Sequence, residues 1–245
     1  MIALFSDIHA NLEALEACLA HATARGARRF AFLGDLVGYG ADPVAVLDLI
    51  EEHGRRGAVV VQGNHDAAVS GSSAYLNAAA AAAIEWTRTV LTRAHREWLA
   101  ALPLCVRDES ACYVHASAAS PERWHYVDGT DAAARSLRES QRPCTFSGHV
   151  HDQVLYVLGE QERVVAFRPR SDAPIPVAPH RRYLMLAGSV GQPRDGNPAA
   201  AYAIADVERR NVSFHRVVYD NHAAARKVRA AGLPESLAYR LERGI

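Results

Sequence analysis

Short apolar runs that stop at once in acids, amides and imidazoles constrain this chain more than any other feature. The first is Ile2-Ala3-Leu4-Phe5-Ser6, which ends in Asp7-Ile8-His9. If residues 2–6 form a buried strand, Asp7 and His9 lie just past its carboxyl end. Spaced i, i+2, they are expected to point the same way, because strand side chains repeat every two residues. A carboxylate offered with a neutral imidazole is a start on a transition-metal site. A lone D-x-H is common on surfaces, so the rest of the chain has to complete it.

The pattern repeats. Leu12, Leu15, Leu19 and Ala22 share one face of a helix expected over 12–24, with Asn11 as its N-cap. The run 29–33 follows and ends in Gly34-Asp35. Strand, helix, strand within 35 residues is a βαβ unit and implies a parallel pair. Asp42-Pro43 opens a second helix, with Asp as cap and Pro at its first position. A third run, 58–61, ends in Gly63-Asn64-His65-Asp66. Residues 72–101 are Ala-rich and patterned for helix. Beyond Leu102 short strands dominate, at 112–114, 145–146, 154–157, 164–167, 183–186, 201–204 and 212–214, which suggests a mixed or mostly antiparallel sheet. The proline-rich stretch 168–182 reads as a surface loop. The tail 221–243 reads as helix broken at Gly232-Leu233-Pro234. No repeat or linker divides the 245 residues, so one domain over 1–245 is expected.

Composition narrows the function classes. Lys+Arg and Asp+Glu are both 27, so the formal charge is zero, which does not indicate nucleic acid or a membrane surface as the main partner. No apolar run is long enough for a membrane helix, and the N-terminus lacks a signal-peptide pattern. Cys18, Cys105, Cys112 and Cys144 have no C-x-x-C spacing and read as thiols of a reducing cytoplasm.

Histidines carry more information. His115 follows the strand at 112–114, and Gly148-His149-Val150-His151 follows the strand at 144–147. Ligands in open α/β sheets bind outside the carboxyl ends of the strands. Asp7, His9, Asp35, Asn64, His115, His149 and His151 could therefore meet on one rim. Seven ligand-type side chains exceed one ion and suit two, sharing Asp35 as a bridge through its two oxygens. Two ions about 3.5–4 Å apart clamp the attacking and departing oxygens of an in-line displacement. A His, Asp and Asn set without thiolate suits Mn, Fe or Zn better than Mg or Ca.

D-x-H, G-D, G-N-H-D and G-H-x-H in this order resemble the calcineurin-like metallophosphoesterase family. Residues 6–15 and Gly188-Ser189-Val190-Gly191-Gln192-Pro193-Arg194-Asp195-Gly196 are similar to its small bacterial branch. The resemblance implies a four-layer αββα sandwich, with two mixed sheets face to face. It also implies Asp7, His9, Asp35 and His151 around one metal, and Asp35, Asn64, His115 and His149 around the other. Ala116 stands where that pattern has Gly. The implied activity is hydrolysis of phosphodiesters or phosphomonoesters by a metal-bound hydroxide, in the cytoplasm. Rival readings are a protein Ser/Thr phosphatase, a dinucleoside polyphosphate hydrolase, or a non-catalytic phosphate-binding module on the same fold.

His65 stands apart, since adjacent side chains leave the backbone in different directions and Asn64 is already a ligand. It is expected to face substrate as acid or charge stabiliser. The segment 117–128 is a candidate wall of the site, with Arg123, Trp124 and Tyr126 as substrate contacts. Asn11 is a further candidate near the rim. Asp66 is expected to hold a turn, orient His65 or touch substrate. Gly38 and Gly40 read as turn glycines. His21, His53, His95, His180, His215 and His222 lack strand-end context and are expected on the surface.

Overall fold

A computed structural model describes residues 1–71, 76–206 and 208–245. In chain order its elements begin β1 Ile2–Phe5, α1 Leu12–Ala24, β2 Arg29–Phe32, α2 Pro43–Arg55, β3 Val59–Val60 and α3 Asn64–Val69. Next come α4 Ala78–Val90, α5 Arg93–Ala101, β4 Cys105–Arg107, β5 Ala111–Val114, α6 Thr130–Ser140, β6 Cys144–Ser147, β7 Gln153–Leu158 and β8 Val164–Phe167. The chain closes with β9 Ile175–Pro176, β10 Arg182–Ala187, β11 Ala200–Asp206, β12 Asn211–Val217, α7 Asn221–Ala230 and α8 Glu235–Arg243.

Two six-stranded mixed sheets result, in the orders β3-β2-β1-β11-β12-β9 and β4-β5-β6-β10-β7-β8. Period-two alternation assigns their faces. Ile2 and Leu4 of β1 meet Phe146, Leu155, Met185 and Phe214 between the sheets. Ala3 and Phe5 point outward, under Leu15 and Leu19 of α1 and Leu47 and Ile50 of α2. On the far side Ala133 and Leu137 of α6 cover Val154, Tyr156, Leu184 and Leu186. Helix, sheet, sheet, helix are the four expected layers. Each sheet has a parallel half, β1-β2-β3 in one and β5-β6-β10 in the other. The carboxyl ends of these six strands carry the loops of the candidate site.

Several local expectations change. Residues 72–75 lie outside the described residues, and the helix expected over 72–101 is two helices. Leu91 ends α4, and the Thr92 side chain accepts from His95 N at 3.2 Å to cap α5. Asn11 caps α1, accepting from Ala14 N at 3.1 Å. Asp42 precedes α2 without capping it; its carboxylate takes Lys227 Nζ at 2.8 Å. The same ammonium reaches Glu13 at 2.6 Å, which ties the helical tail to α1 and α2. His215 is not on the surface. It is 1% exposed on β12, with Nδ1 2.8 Å from Asp172 Oδ1 and Nε2 2.8 Å from Ser213 Oγ.

Candidate metal centre

The side chains at the strand ends converge, but not by strand alternation. β1 ends at Phe5, and both Asp7 (φ 53°) and His9 (φ 49°) are left-handed. Asp35, His149 and His151 are left-handed too, at 50°, 68° and 69°. Such a conformation costs an L-residue about 1–2 kcal/mol. It persists only where surrounding bonds impose it. Those bonds are present: Asp7 N donates to Gly34 O at 3.1 Å, His9 N to Asp35 O at 2.9 Å, and Gly191 N to Asp7 O at 2.8 Å.

One cluster joins Asp7, His9 and His151. His151 Nε2 lies 3.3 Å from Asp7 Oδ1 and 3.3 Å from His9 Nε2. The other joins Asn64, His115 and His149. His115 Nε2 lies 3.2 Å from Asn64 Oδ1 and 3.1 Å from His149 Nδ1. Asp35 Oδ2 stands between them, 3.8 Å from His9 Nε2 and 3.4 Å from His115 Nε2. Donors about 2.1 Å from one tetrahedral ion lie roughly 3.4 Å apart, so both clusters have the spacing of a coordination shell.

The surrounding bonds aim the donors. His9, His115 and His151 each place Nδ1 on a backbone carbonyl, of Val37 at 3.3 Å, Leu33 at 2.7 Å and Gln192 at 2.6 Å. That fixes the tautomer and frees the Nε2 lone pair. His149 is turned round and presents Nδ1 rather than Nε2 to the cluster. Each carboxylate spends one oxygen on a backbone N–H. Asp7 Oδ2 accepts from His149 N at 3.0 Å, and Asp35 Oδ1 accepts from His65 N at 2.8 Å. Asp35 therefore faces both clusters through Oδ2 alone, not through two oxygens as expected. Asp7 Oδ1 is buried with no hydrogen-bond donor among the described residues. A buried acceptor left so is costly unless a cation meets it.

Ionisation follows burial and pairing. Burial raises Asp7 to about 6. Burial drives His9 and His151 well below the usual imidazole range and brings His149 to about 3. For His115 burial acts in the same direction, yet the Asp35 carboxylate overrides it and raises the group to about 9. Burial alone would raise Asp35, yet it is held well below the usual carboxylate range, chiefly by the His115 imidazolium. A proton on His115 balances Asp35 where a cation could.

The remaining expectations divide. His65 is 4% exposed, with Nδ1 unpartnered among the described residues. Its ring abuts Gly38, whose φ is 86° and where a Cβ would strike that nitrogen. Gly38 is thus a close-approach glycine as well as a turn. His65 also forms a possible metal group with His9 and Asp35, so geometry alone admits it as a donor. Tyr126 stacks on His149, with ring centres 4.1 Å apart, and Trp124 meets His115 edge-on at 6.0 Å. Arg123 is turned to solvent beside Glu122, its side chain 70% exposed. Asn11 is spent structurally: beyond its cap, Nδ2 donates to Gly191 O at 2.9 Å and Tyr219 Oη at 3.1 Å.

After β10 the sequence offers Gly188-Ser189 as packing behind the site, with a phosphate contact as the alternative, and points to no later residue on the rim. Ser189 Oγ donates to Asp7 O at 2.9 Å, behind the site. Gln192 carries the carbonyl that holds His151 and takes Arg194 Nη2 on its Oε1 at 3.2 Å. The Arg194 guanidinium lies 5.9 Å from the centre of the Tyr39 ring, and Tyr39 contacts His9 and His65 at 4.5 Å each. The run 183–187 ending in Gly188-Ser189 had the same signature as the other strand ends.

Two packed mixed sheets with paired His/Asp clusters at their parallel strand ends define a metallophosphoesterase-type fold. The chain belongs to the calcineurin-like phosphoesterase superfamily, whose model matches residues 1–210. It is 35% identical over 249 residues to an uncharacterized protein of Methanocaldococcus jannaschii, covering 98% of this chain and 97% of that one. It resembles the crystal structure of a metallophosphoesterase from Sphaerobacter thermophilus at TM-score 0.87 and 37% identity, over 100% and 98% of the two chains. A hypothetical protein from Pyrococcus horikoshii shares the fold at TM-score 0.78 and 20% identity, over 100% and 99%.

Proposed function

We propose that the 245 residues form one phosphoesterase domain that hydrolyses phosphodiester or phosphomonoester bonds with two divalent transition-metal ions. The observation carrying this reading is Asp35 Oδ2, within 4 Å of an Nε2 in each of two donor clusters. Asp7, His9, Asp35 and His151 would hold one ion, and Asp35, Asn64, His115 and His149 the other. The donor chemistry suits Mn, Fe or Zn. Ions held there would acidify a water and neutralise phosphoryl oxygens. The chain's own residues do the rest. Backbone carbonyls hold the Nδ1 atoms of His9, His115 and His151 and so turn each Nε2 toward the cluster, and Tyr126 and Trp124 pack against the His149–His115 side. His65 faces the rim from beside Tyr39, where it can give a proton to a leaving oxygen or stabilise its charge.

The test is metal analysis by mass spectrometry with turnover of bis-p-nitrophenyl and p-nitrophenyl phosphate after Mn²⁺ loading. Near two equivalents and hydrolysis are expected. Saturation at one equivalent with full activity would remove the dinuclear reading. Two equivalents and no turnover of any ester would leave a phosphate-binding module.

A further inference from the structure

The loop after β10 brings a cation to the rim for which the metal ligands have no use. Arg194 is exposed, yet its guanidinium is held twice, by a bond from Nη2 to Gln192 Oε1 at 3.2 Å and by its seat over the Tyr39 ring at 5.9 Å. It has no carboxylate within ion-pair distance among the described residues; its neighbour Asp195 pairs with Arg216 at 2.8 Å instead. The Tyr39 ring in turn contacts His9 and His65, with ring centres 4.5 Å apart in each case, so the guanidinium stands beside the site. Two divalent ions against the carboxylates of Asp7 and Asp35 would already leave surplus positive charge. An unpaired guanidinium beside that surplus is unfavourable until an anion arrives.

We propose that Arg194, seated on Tyr39, binds a non-bridging oxygen of the reacting phosphoryl group and so sets the affinity for phosphate. The proposal rests on the hydrolytic site described above and names a substrate contact outside its metal ligands. Arginine suits the task because its planar fork meets phosphate oxygens in a fixed geometry, whereas lysine offers a point charge. The Tyr39 ring and Gln192 hold that fork in place before substrate binds, which lowers the entropy lost on binding.

The probe is inorganic phosphate, titrated calorimetrically into Mn²⁺-loaded protein. Arg194→Ala is expected to weaken phosphate binding about 10–100-fold, the worth of a charge-assisted pair. Arg194→Lys should recover part of that loss. Metal content and melting temperature should match the wild type in both. For an ester substrate KM should rise more than kcat falls. Equal phosphate affinity in wild type and Arg194→Ala overturns the proposal, as does wild-type protein that binds no phosphate. So does a loss confined to substrates with a second anion on the leaving group, which would place the guanidinium on that group. A lowered melting temperature that Lys fails to restore would make Arg194 a structural residue and overturn it too. Protein that hydrolyses no ester but binds phosphate through Arg194 would sink the hydrolytic reading and leave this one standing.

Discussion

His65 is the residue whose role depends most on local geometry. Its backbone N–H is committed to Asp35 Oδ1, so its position is tied to the carboxylate between the two clusters. Its side chain enters through a gap that only Gly38 leaves open. Burial lowers its pKa, so at neutral pH it is mainly the uncharged form and must acquire a proton to act as an acid. His65→Asn is expected to retain both metal equivalents and to lower kcat about 10²–10⁴-fold. The loss should be greater for an alkyl or ribose leaving oxygen than for p-nitrophenolate. Equal losses on both would make His65 a charge stabiliser, and loss of metal would make it a ligand. Mass-spectrometric metal content with two substrates separates the three.

At the scale of elements, the short helix α3 organises the rim more than its length suggests. Asp66, at its third position, accepts from Gly63 N at 2.8 Å, Leu36 N at 2.9 Å and Val37 N at 3.2 Å. One buried carboxylate thereby joins the end of β3 to the loop that carries Asp35. Of the three roles considered for Asp66, holding the turn is the one its bonds support. Asp66→Ala is expected to cost about 3 kcal/mol by urea unfolding, since three buried N–H groups lose their acceptor. Metal affinity should fall with it, because the Asp35 loop loses its anchor. A change below about 0.5 kcal/mol, the range of ordinary surface substitutions, would reject this account. Helix α6 and strands β4 and β9 were not anticipated. β4 and β9 are three and two residues long on sheet edges, too short for period-two alternation to stand out. The apolar signal of α6 is confined to Ala132, Ala133 and Leu137, one short stripe in a polar stretch between strand-like runs.

For the whole molecule, the site spans both sheets. Asp7, Asp35 and Asn64 follow strands of one, and His115, His149 and His151 follow strands of the other. Bound metal should therefore stabilise the sandwich. Free metal at 100 times its dissociation constant adds about 2.7 kcal/mol. In a chain of this size that corresponds to a melting shift of roughly 5–10 °C, reversed by chelation. The shift should grow from pH 6.5 to 8.5. His115 has a folded pKa raised above its unfolded value, to about 9. Its protonated form thus stabilises the metal-free fold below about 6.5, and that contribution is lost as pH rises through about 9. The same deprotonation frees Nε2 for metal, so both effects widen the gap. Calorimetric melts with and without Mn²⁺ at the two pH values check this; a shift that shrinks with pH contradicts it.

Much of this was legible along the chain. Alternating and helical apolar patterns marked the parallel strands and most helices, and each donor stood directly after a strand. These signals are local, so a linear reading recovers them. The direction of each donor was not local. Five of the seven candidate ligands take a left-handed backbone conformation imposed by bonds from distant loops, such as Gly191 N on Asp7 O and His149 N on Asp7 Oδ2. A bond from His65 N likewise decides which single oxygen of Asp35 faces both clusters, and bonds to Gly191 and Tyr219 withdraw Asn11 from the rim, while Arg123 points to solvent. Arg194 enters for the same reason. Its loop reaches the rim because β10 lies parallel to β6, so the loops after the two strands share one end of that sheet, and the packing of the two sheets brings Tyr39, after β2 of the other, beneath it. Residue type and order along the strands specify which chemistry can assemble, whereas donor orientation and the added cation depend on contacts between loops that only the packed sandwich brings together.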